Sequence, residues 1–135
     1  MLIFFIIAFI YFVSILLLLT SCQFSFNRSV SGAGEINSVT VEEFEKAISD
    51  SKVQLVDVRT PEEFAQGNIP GSINIDVNSG HFGADVDSLL DKENKVAIYC
   101  RSGRRSKKAA EILSMMGFDV VELDKGYNGW VESGK

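Results

Sequence analysis

The residues best equipped for chemistry lie in one stretch, Tyr99-Cys100-Arg101-Ser102-Gly103-Arg104-Arg105-Ser106. A cysteine is nucleophilic as its thiolate, and a free thiol with a pKa near ~8.5 is mostly protonated at neutral pH. Three features of this stretch favour the anion. A short loop with one glycine follows the cysteine, and successive main-chain N–H groups of such a loop can curl around a sulfur as a concave anion site. A helix is expected from about Ser106, and its N-terminus contributes the equivalent of about half a positive charge. Arg101, Arg104, Arg105, Lys107 and Lys108 place five cations within eight residues. A thiolate in such a cradle suits attack on an oxyanion-bearing substrate, and the same cradle would hold a negatively charged persulfide. Two plainer readings stand beside this one. A cysteine at a strand end can be a packing residue, and Lys107 and Lys108 read as a solvated helix face.

The flanking elements must bring that loop to a usable place. Val96 to Tyr99 is a short apolar run that reads as a buried strand, so Cys100 falls just beyond its C-terminal end. Ser106 to Met116 reads as a helix with Ala109, Ala110, Ile112, Leu113 and Met116 on one face, and Gly117 is its stop. Upstream, Thr40 and Glu43 form a capping box that opens a helix over Val41 to Ser49. Val53 to Val58 reads as a strand. Thr60, Pro61 and Glu63 start a second short helix with another capping box. Residues 67–71 are a turn, Ser72 to Ile75 a short strand and Asp85 to Leu90 a helical turn or two. Val120 to Leu123 is a last strand, followed by a glycine turn and a final helix that packs Trp130 against the core. Short apolar strands alternating with helices imply an α/β fold with a parallel sheet covered on both faces. In such sheets a ligand site lies beyond the strand carboxyl ends, where Cys100 is placed.

The chain of 135 residues is asymmetric. Residues 1–21 carry no charged side chain, and Leu2 to Leu19 is apolar except for Ser14, so the net charge of −5 belongs to the remainder. That acidic balance excludes general nucleic-acid binding, which needs clustered cations against phosphate. The two cysteines are Cys22 and Cys100. A disulfide is the ordinary expectation for an exported pair, but each lies in a motif that would use its sulfur separately. The only histidine is His81, which reads as a surface residue. No Cys/His cluster has metal-ligand spacing, so neither metal nor cofactor is expected.

Leu19-Thr20-Ser21-Cys22 resembles the lipobox of bacterial lipoproteins. That resemblance implies a signal peptide over residues 1–21, a Cys22 carrying diacylglycerol and an acylated amine, and membrane attachment through those chains at about 0.8 kcal/mol per buried CH₂. No Lys or Arg precedes the apolar run. The alternative is an uncleaved anchor, since a helix over residues 2–19 at about 1.5 Å per residue could just cross a bilayer. Both readings place the domain on the membrane surface or beyond it, periplasmic or on the outer face. Residues 22–38, with several Ser, Gly and Asn and no periodicity, are expected to form a flexible tether before a domain over 39–135.

The domain resembles the rhodanese-homology superfamily, in particular the small single-domain sulfurtransferases, over about residues 39–132. The landmarks are Asp57-Val58-Arg59 with Glu62-Glu63-Phe64, the segment from Gly67 to Ile75, the Cys100 loop, and Gly126-Tyr127-Asn128-Gly129-Trp130. Asn68 stands where a histidine is usual and Tyr127 where a second glycine is common. The resemblance implies a five-stranded parallel core and a ping-pong sulfurtransferase that takes sulfur from thiosulfate or a similar donor and passes it to cyanide, another thiophile or a protein acceptor. It further implies Cys100 as nucleophile, with Arg101, Ser102, Gly103, Arg104 and Arg105 as the donor- and persulfide-binding loop. Asp57 and Arg59 resemble a strand-end pair that supports the loop, or serve as a simple ion pair beside it. Two rivals differ in class. A cysteine phosphatase or arsenate reductase needs five residues between Cys and Arg, whereas Cys100 and Arg105 are separated by four and position 106 is serine. A non-catalytic rhodanese-like binding or persulfide-carrier module would share the same residues.

Overall fold

The computed structural model describes residues 1–7 and 32–135. Residues 2–7 are helical. Cys22, the rest of the apolar run and most of the expected tether lie outside the described residues. Among the described residues no helix is long and apolar enough to cross a membrane.

From residue 36 onward strands and helices alternate: β1 (Ile36–Val39), α1 (Val41–Ile48), β2 (Gln54–Asp57), α2 (Pro61–Gln66), β3 (Ile73–Asn74), α3 (Phe82–Leu89), β4 (Val96–Tyr99), α4 (Arg104–Met115), β5 (Val120–Leu123) and α5 (Gly126–Glu132). The five strands form one parallel sheet in the order β1-β5-β4-β2-β3. Parallel neighbours need crossovers, and the intervening helices supply them, which covers both faces. The side-chain alternation of β4 sorts the core. Val96, Ile98 and Cys100 pack with α3 and α4, through Val86, Ala109, Ala110 and Leu113. Ala97 and Tyr99 face the other side, against Val41 and Phe44 of α1 and Trp130 of α5. Phe44 is fully enclosed, with edge-on contacts to Tyr99 and Trp130 at 6.5 Å between ring centroids in each case. β4 and β5 lie in the middle of the sheet and are buried along their whole length.

Local signals explain most of the boundaries. Both capping boxes form: Thr40 with Glu43 opens α1 and Thr60 with Glu63 opens α2, where Pro61 occupies the first turn. At the C-terminus of α4 the Phe118 N–H reaches the Leu113 carbonyl and the Gly117 N–H the Ser114 carbonyl, at 3.0 and 2.9 Å. This is the glycine-dependent closure expected at Gly117.

Four expectations need correction. Residues 36–38, read as the end of a tether, are part of an edge strand paired with β5 in the register Ile36 to Val120 through Val39 to Leu123. Its side chains are mostly exposed, so no apolar pattern marks it, and distant main-chain pairing holds it. Helix α4 begins at Arg104 rather than Ser106, which brings both Arg104 and Arg105 into its first turn. Helix α3 begins at Phe82, three residues before the expected start at Asp85, because Phe82 itself is buried in the core. Strand β3 is reduced to Ile73–Asn74, which pair with Val56 and Asp57 of β2.

Candidate active site

Strand β4 ends at Tyr99 and delivers Cys100 into a tight turn that leads straight into α4. The Cys100 side chain is 1% exposed. Its Sγ accepts the Gly103 main-chain N–H at 3.2 Å and the Ser106 Oγ–H at 3.4 Å. The main-chain amides of Ser106 and Ser102 also favour its anion. Burial pushes the Cys100 thiol up, but these hydrogen bonds outweigh it, and the net direction is down from the ordinary cysteine value.

The turn is fixed from outside by α5. The Tyr127 N–H donates to the Cys100 carbonyl at 2.7 Å and the Asn128 N–H to the Arg101 carbonyl at 3.0 Å. A trans peptide unit points its N–H opposite to its carbonyl, so these two bonds turn the Arg101 and Ser102 N–H groups away from α5. Two glycines make the approach feasible. Gly126 has φ +59°, and a Cβ there would lie 2.6 Å from main-chain atoms of Cys100 and Arg101. Gly103 has φ +97°, and its Cβ would lie 2.1 Å from the Asp124 carbonyl oxygen. Both positions exclude a side chain on conformational and steric grounds together.

The basic residues of the loop divide into two groups. Arg105 is held by a bidentate pair with Glu63, at 2.7 and 2.8 Å, and spends its charge there. Arg101 and Arg104 are exposed. Arg101 lines a depression of about 290 Å³ with Arg59, Glu63 and Tyr127. Lys107 is half-exposed and pairs with Asp124 at 2.7 Å, and Lys108 is exposed.

Asp57 and Arg59 form a buried pair on the same side of the sheet end, with the closest approach at 2.6 Å. The Arg59 guanidinium also donates to the Gly67 carbonyl at 2.6 Å and lies over the Tyr127 ring at 4.3 Å from its centroid. The Asn74 side-chain amide donates to the main-chain carbonyls of Asp57 and Arg59. Neither Asp57 nor Arg59 contacts Cys100. Their link to the turn runs through Tyr127, whose own N–H fixes the Cys100 carbonyl. The Tyr99 hydroxyl accepts the Ile69 N–H and meets Ser72 Oγ, and burial pushes this phenol up to about 12, so it remains neutral at physiological pH. His81 is at the surface and pairs with Asp85. Among the described residues no group of three or more His, Cys, Asp or Glu side chains is gathered as a metal site.

Comparison with known proteins agrees with this geometry. The family model described as Rhodanese-like domain matches residues 40–133. The chain belongs to the rhodanese-like family. A protein of Allochromatium vinosum named sulfurtransferase is 36% identical over 101 residues, which span 73% of this chain and 92% of that protein. The crystal structure of a rhodanese-like domain protein from Staphylococcus aureus is 36% identical with a TM-score of 0.61, covering 70% of this chain and 90% of that one. A rhodanese-related protein from Thermoplasma volcanium is 30% identical with a TM-score of 0.61, covering 73% and 93%. At the level of the family, the activity of this rhodanese-like domain is sulfur transfer.

Three residues of the rhodanese-like site escape a reading of the sequence alone. Ser106 was visible only as a helix start, yet its hydroxyl touches the sulfur. Glu63 was visible as a capping residue, yet it also neutralises Arg105. Glu122 is fully buried beneath the loop. Its one sequence signal is a lone carboxylate inside the apolar run Val120-Val121-Glu122-Leu123.

The dual bonding of Glu63 gives a test. Its pairing with Arg105 holds the carboxyl at about 2 against an ordinary 4.5, helped by the Thr60 N–H and opposed by partial burial. A depressed folded-state pKa stabilises the fold fully above the unfolded value, and this contribution is lost as pH falls from about 4.5 to about 2. Glu63→Gln is expected to cost roughly 1 kcal/mol at neutral pH, because the pair is partly solvated. In urea titrations the gap between variant and wild type narrows across that acid window. A gap that stays constant down to the lower limit contradicts the assignment.

Proposed function

We propose that this rhodanese-like domain transfers sulfane sulfur through a persulfide on Cys100, with thiosulfate or a similar anionic donor as substrate. The observation that carries the reading is the Gly103 N–H on Cys100 Sγ, together with the amide-lined turn around it. The Cys100 thiolate attacks the outer sulfur of thiosulfate, a Cys–S bond forms, the donor S–S bond breaks, and sulfite leaves with the bonding pair. The terminal sulfur then carries the negative charge inside the same amides. A thiophilic acceptor, such as cyanide or a thiolate, takes that sulfur and restores the Cys100 thiolate.

In this mechanism Ser102 and Gly103 supply amides, and Arg101 and Arg104 supply the unpaired cations for the donor oxyanions. Arg105 acts by anchoring the start of α4 to Glu63. Asp57 and Arg59 act through Tyr127 on the turn. The reading is supported by the sulfurtransferase relative, of which this chain covers nearly the full length. We further propose that Cys22 is lipidated and attaches the domain to a membrane facing the cell exterior, on the strength of the Leu19-Thr20-Ser21-Cys22 motif.

Incubation of the full chain in detergent with thiosulfate is expected to add one sulfur atom, located at Cys100 by peptide mass. Cys100→Ser abolishes the adduct while leaving the fold intact. A wild-type Cys100 that stays unmodified with thiosulfate and with other sulfane donors makes this a binding module instead. For the anchor, expression in a lipoprotein-processing bacterium with labelled fatty acid is expected to label the wild-type chain and not Cys22→Ala. Equal labelling of both, or of neither, contradicts lipidation at that residue.

A further inference from the structure

The depression of about 290 Å³ beside the Cys100 turn holds polar groups that the proposed chemistry leaves unused. It is at the small end for a ligand site, since such sites ordinarily span about 300–1,000 Å³. Arg59 lines it although this residue is only 4% exposed. The Arg59 Nε donates to both oxygens of Asp57, and Nη2 donates to Asp57 Oδ2 and to the Gly67 carbonyl, each at 2.6 Å. Nη1 donates to nothing among the described residues. Yet no fully enclosed side-chain nitrogen or oxygen among them lacks a partner. Nη1 therefore meets the solvent of the depression, with its two N–H groups unspent.

The other charges at the depression sort by partner. Glu63 lines it, but Arg105 engages both of its oxygens. Asp57 is engaged in the same way by Arg59. Arg101 also lines the depression, is exposed and has no ion pair among the described residues. Gln66 and Asn128 add exposed neutral amides. What remains is one uncompensated positive charge beside one fixed guanidinium edge, a donor set that matches a carboxylate. The depression adjoins the turn, because Arg101 follows Cys100 in the chain and the Tyr127 N–H holds the Cys100 carbonyl at 2.7 Å. Cys100 itself is not among the lining residues. A group held there thus belongs to a molecule longer than thiosulfate, whose oxygens lie two bonds from the sulfur it gives.

We infer that this depression holds the carboxylate of a small thiol that takes the sulfur from Cys100, with Arg101 and Arg59 Nη1 as its donors. The inference deepens the sulfurtransferase reading and rests on it. In the step, the acceptor thiolate attacks the terminal sulfur of the Cys100 persulfide. An S–S bond forms between them, the bond from that sulfur to Cys100 Sγ breaks, and Sγ keeps the bonding pair. One thiolate and one persulfide anion become one persulfide anion and one thiolate, with no proton or further reactant. Sulfite has left before the acceptor enters, so Arg101 can meet the donor oxyanion first and the carboxylate afterwards. A neutral or cationic thiol of the same length gains nothing from the depression, and selectivity follows charge.

The test charges Cys100 of the full chain in detergent with thiosulfate and follows loss of the added sulfur by intact mass. The acceptors are mercaptopropionate, mercaptoethanol and cysteamine, with each rate referred to the thiolate fraction. Mercaptopropionate is expected to react about tenfold faster than mercaptoethanol, the worth of one charge-assisted hydrogen bond. Arg101→Gln is expected to remove most of that ratio. Lys108→Gln takes an equal charge from an exposed site of α4 outside the depression and is expected to leave the ratio in place. No preference in the wild type, a preference that survives Arg101→Gln, or an equal loss in both variants overturns the proposal, the last by showing a general field instead of a site. A second arm needs no sulfur on Cys100. The nitrogen-labelled chain is titrated with unreactive methylthiopropionate and watched by nuclear magnetic resonance. The Arg101 and Asn128 amides and the Arg59 Nε–H are expected to shift, whereas the corresponding alcohol leaves them in place. Unmoved signals, or equal shifts with both compounds, also overturn it. Where Cys100 takes up no sulfur but these shifts appear, the carboxylate site is upheld and the transfer reading is what fails.

Discussion

A buried sulfur anion is costly unless its surroundings supply fixed donors, and that constraint organises the end of this sheet. The Gly103 N–H points at Cys100 Sγ, while the Cys100 and Arg101 carbonyls of the same turn are held on the other side by Tyr127 and Asn128 of α5. Those bonds require α5 to sit close against the turn, which is why Gly126 and Gly103 tolerate no Cβ. Strand β4 then needs neighbours on both sides to keep its C-terminal end in place, and β2 and β5 provide them. The site is therefore a property of several elements, assembled around one atom.

The polar groups behind the turn are satisfied in pairs. Asp57 compensates Arg59, Glu63 compensates Arg105, and two hydroxyls cap Glu122. Removing one member of a buried pair leaves the other uncompensated, which costs more than the pair itself contributes. Arg59 also covers the Tyr127 ring, so an ion pair some distance from the sulfur stiffens the residue that fixes the Cys100 carbonyl. Among the described residues, Arg101 and Arg104 of the loop are exposed and have no ion pair. Of the five cations that the sequence presents, Arg105 and Lys107 are paired with carboxylates in three dimensions.

What was legible in the sequence was local. Capping boxes at Thr40 and Thr60, the apolar strands expected over Val53 to Val58 and Val96 to Tyr99, and the glycine stop at Gly117 depend on neighbours a few residues away, and each appears within a residue of where its pattern indicates. The placement of Cys100 at a strand end followed from the same signals. Strand β1 was not legible, because its exposed side chains say nothing and its order comes from β5, far along the chain. The fate of Arg105 was hidden for the same reason, since Glu63 approaches it from α2. Glu122 escaped that reading, because its partners Ser38 and Ser106 meet it only once the sheet is assembled.

The central claim is that the folded turn holds Cys100 as an anion. The most direct measurement is the ultraviolet thiolate absorbance of a Cys22→Ser chain, titrated with pH in the native state and again in denaturant. The structure predicts a native midpoint below the denatured one, because amide donors outweigh burial. A native midpoint equal to or above the denatured one would mean that burial prevails and that the turn does not prepare a nucleophile.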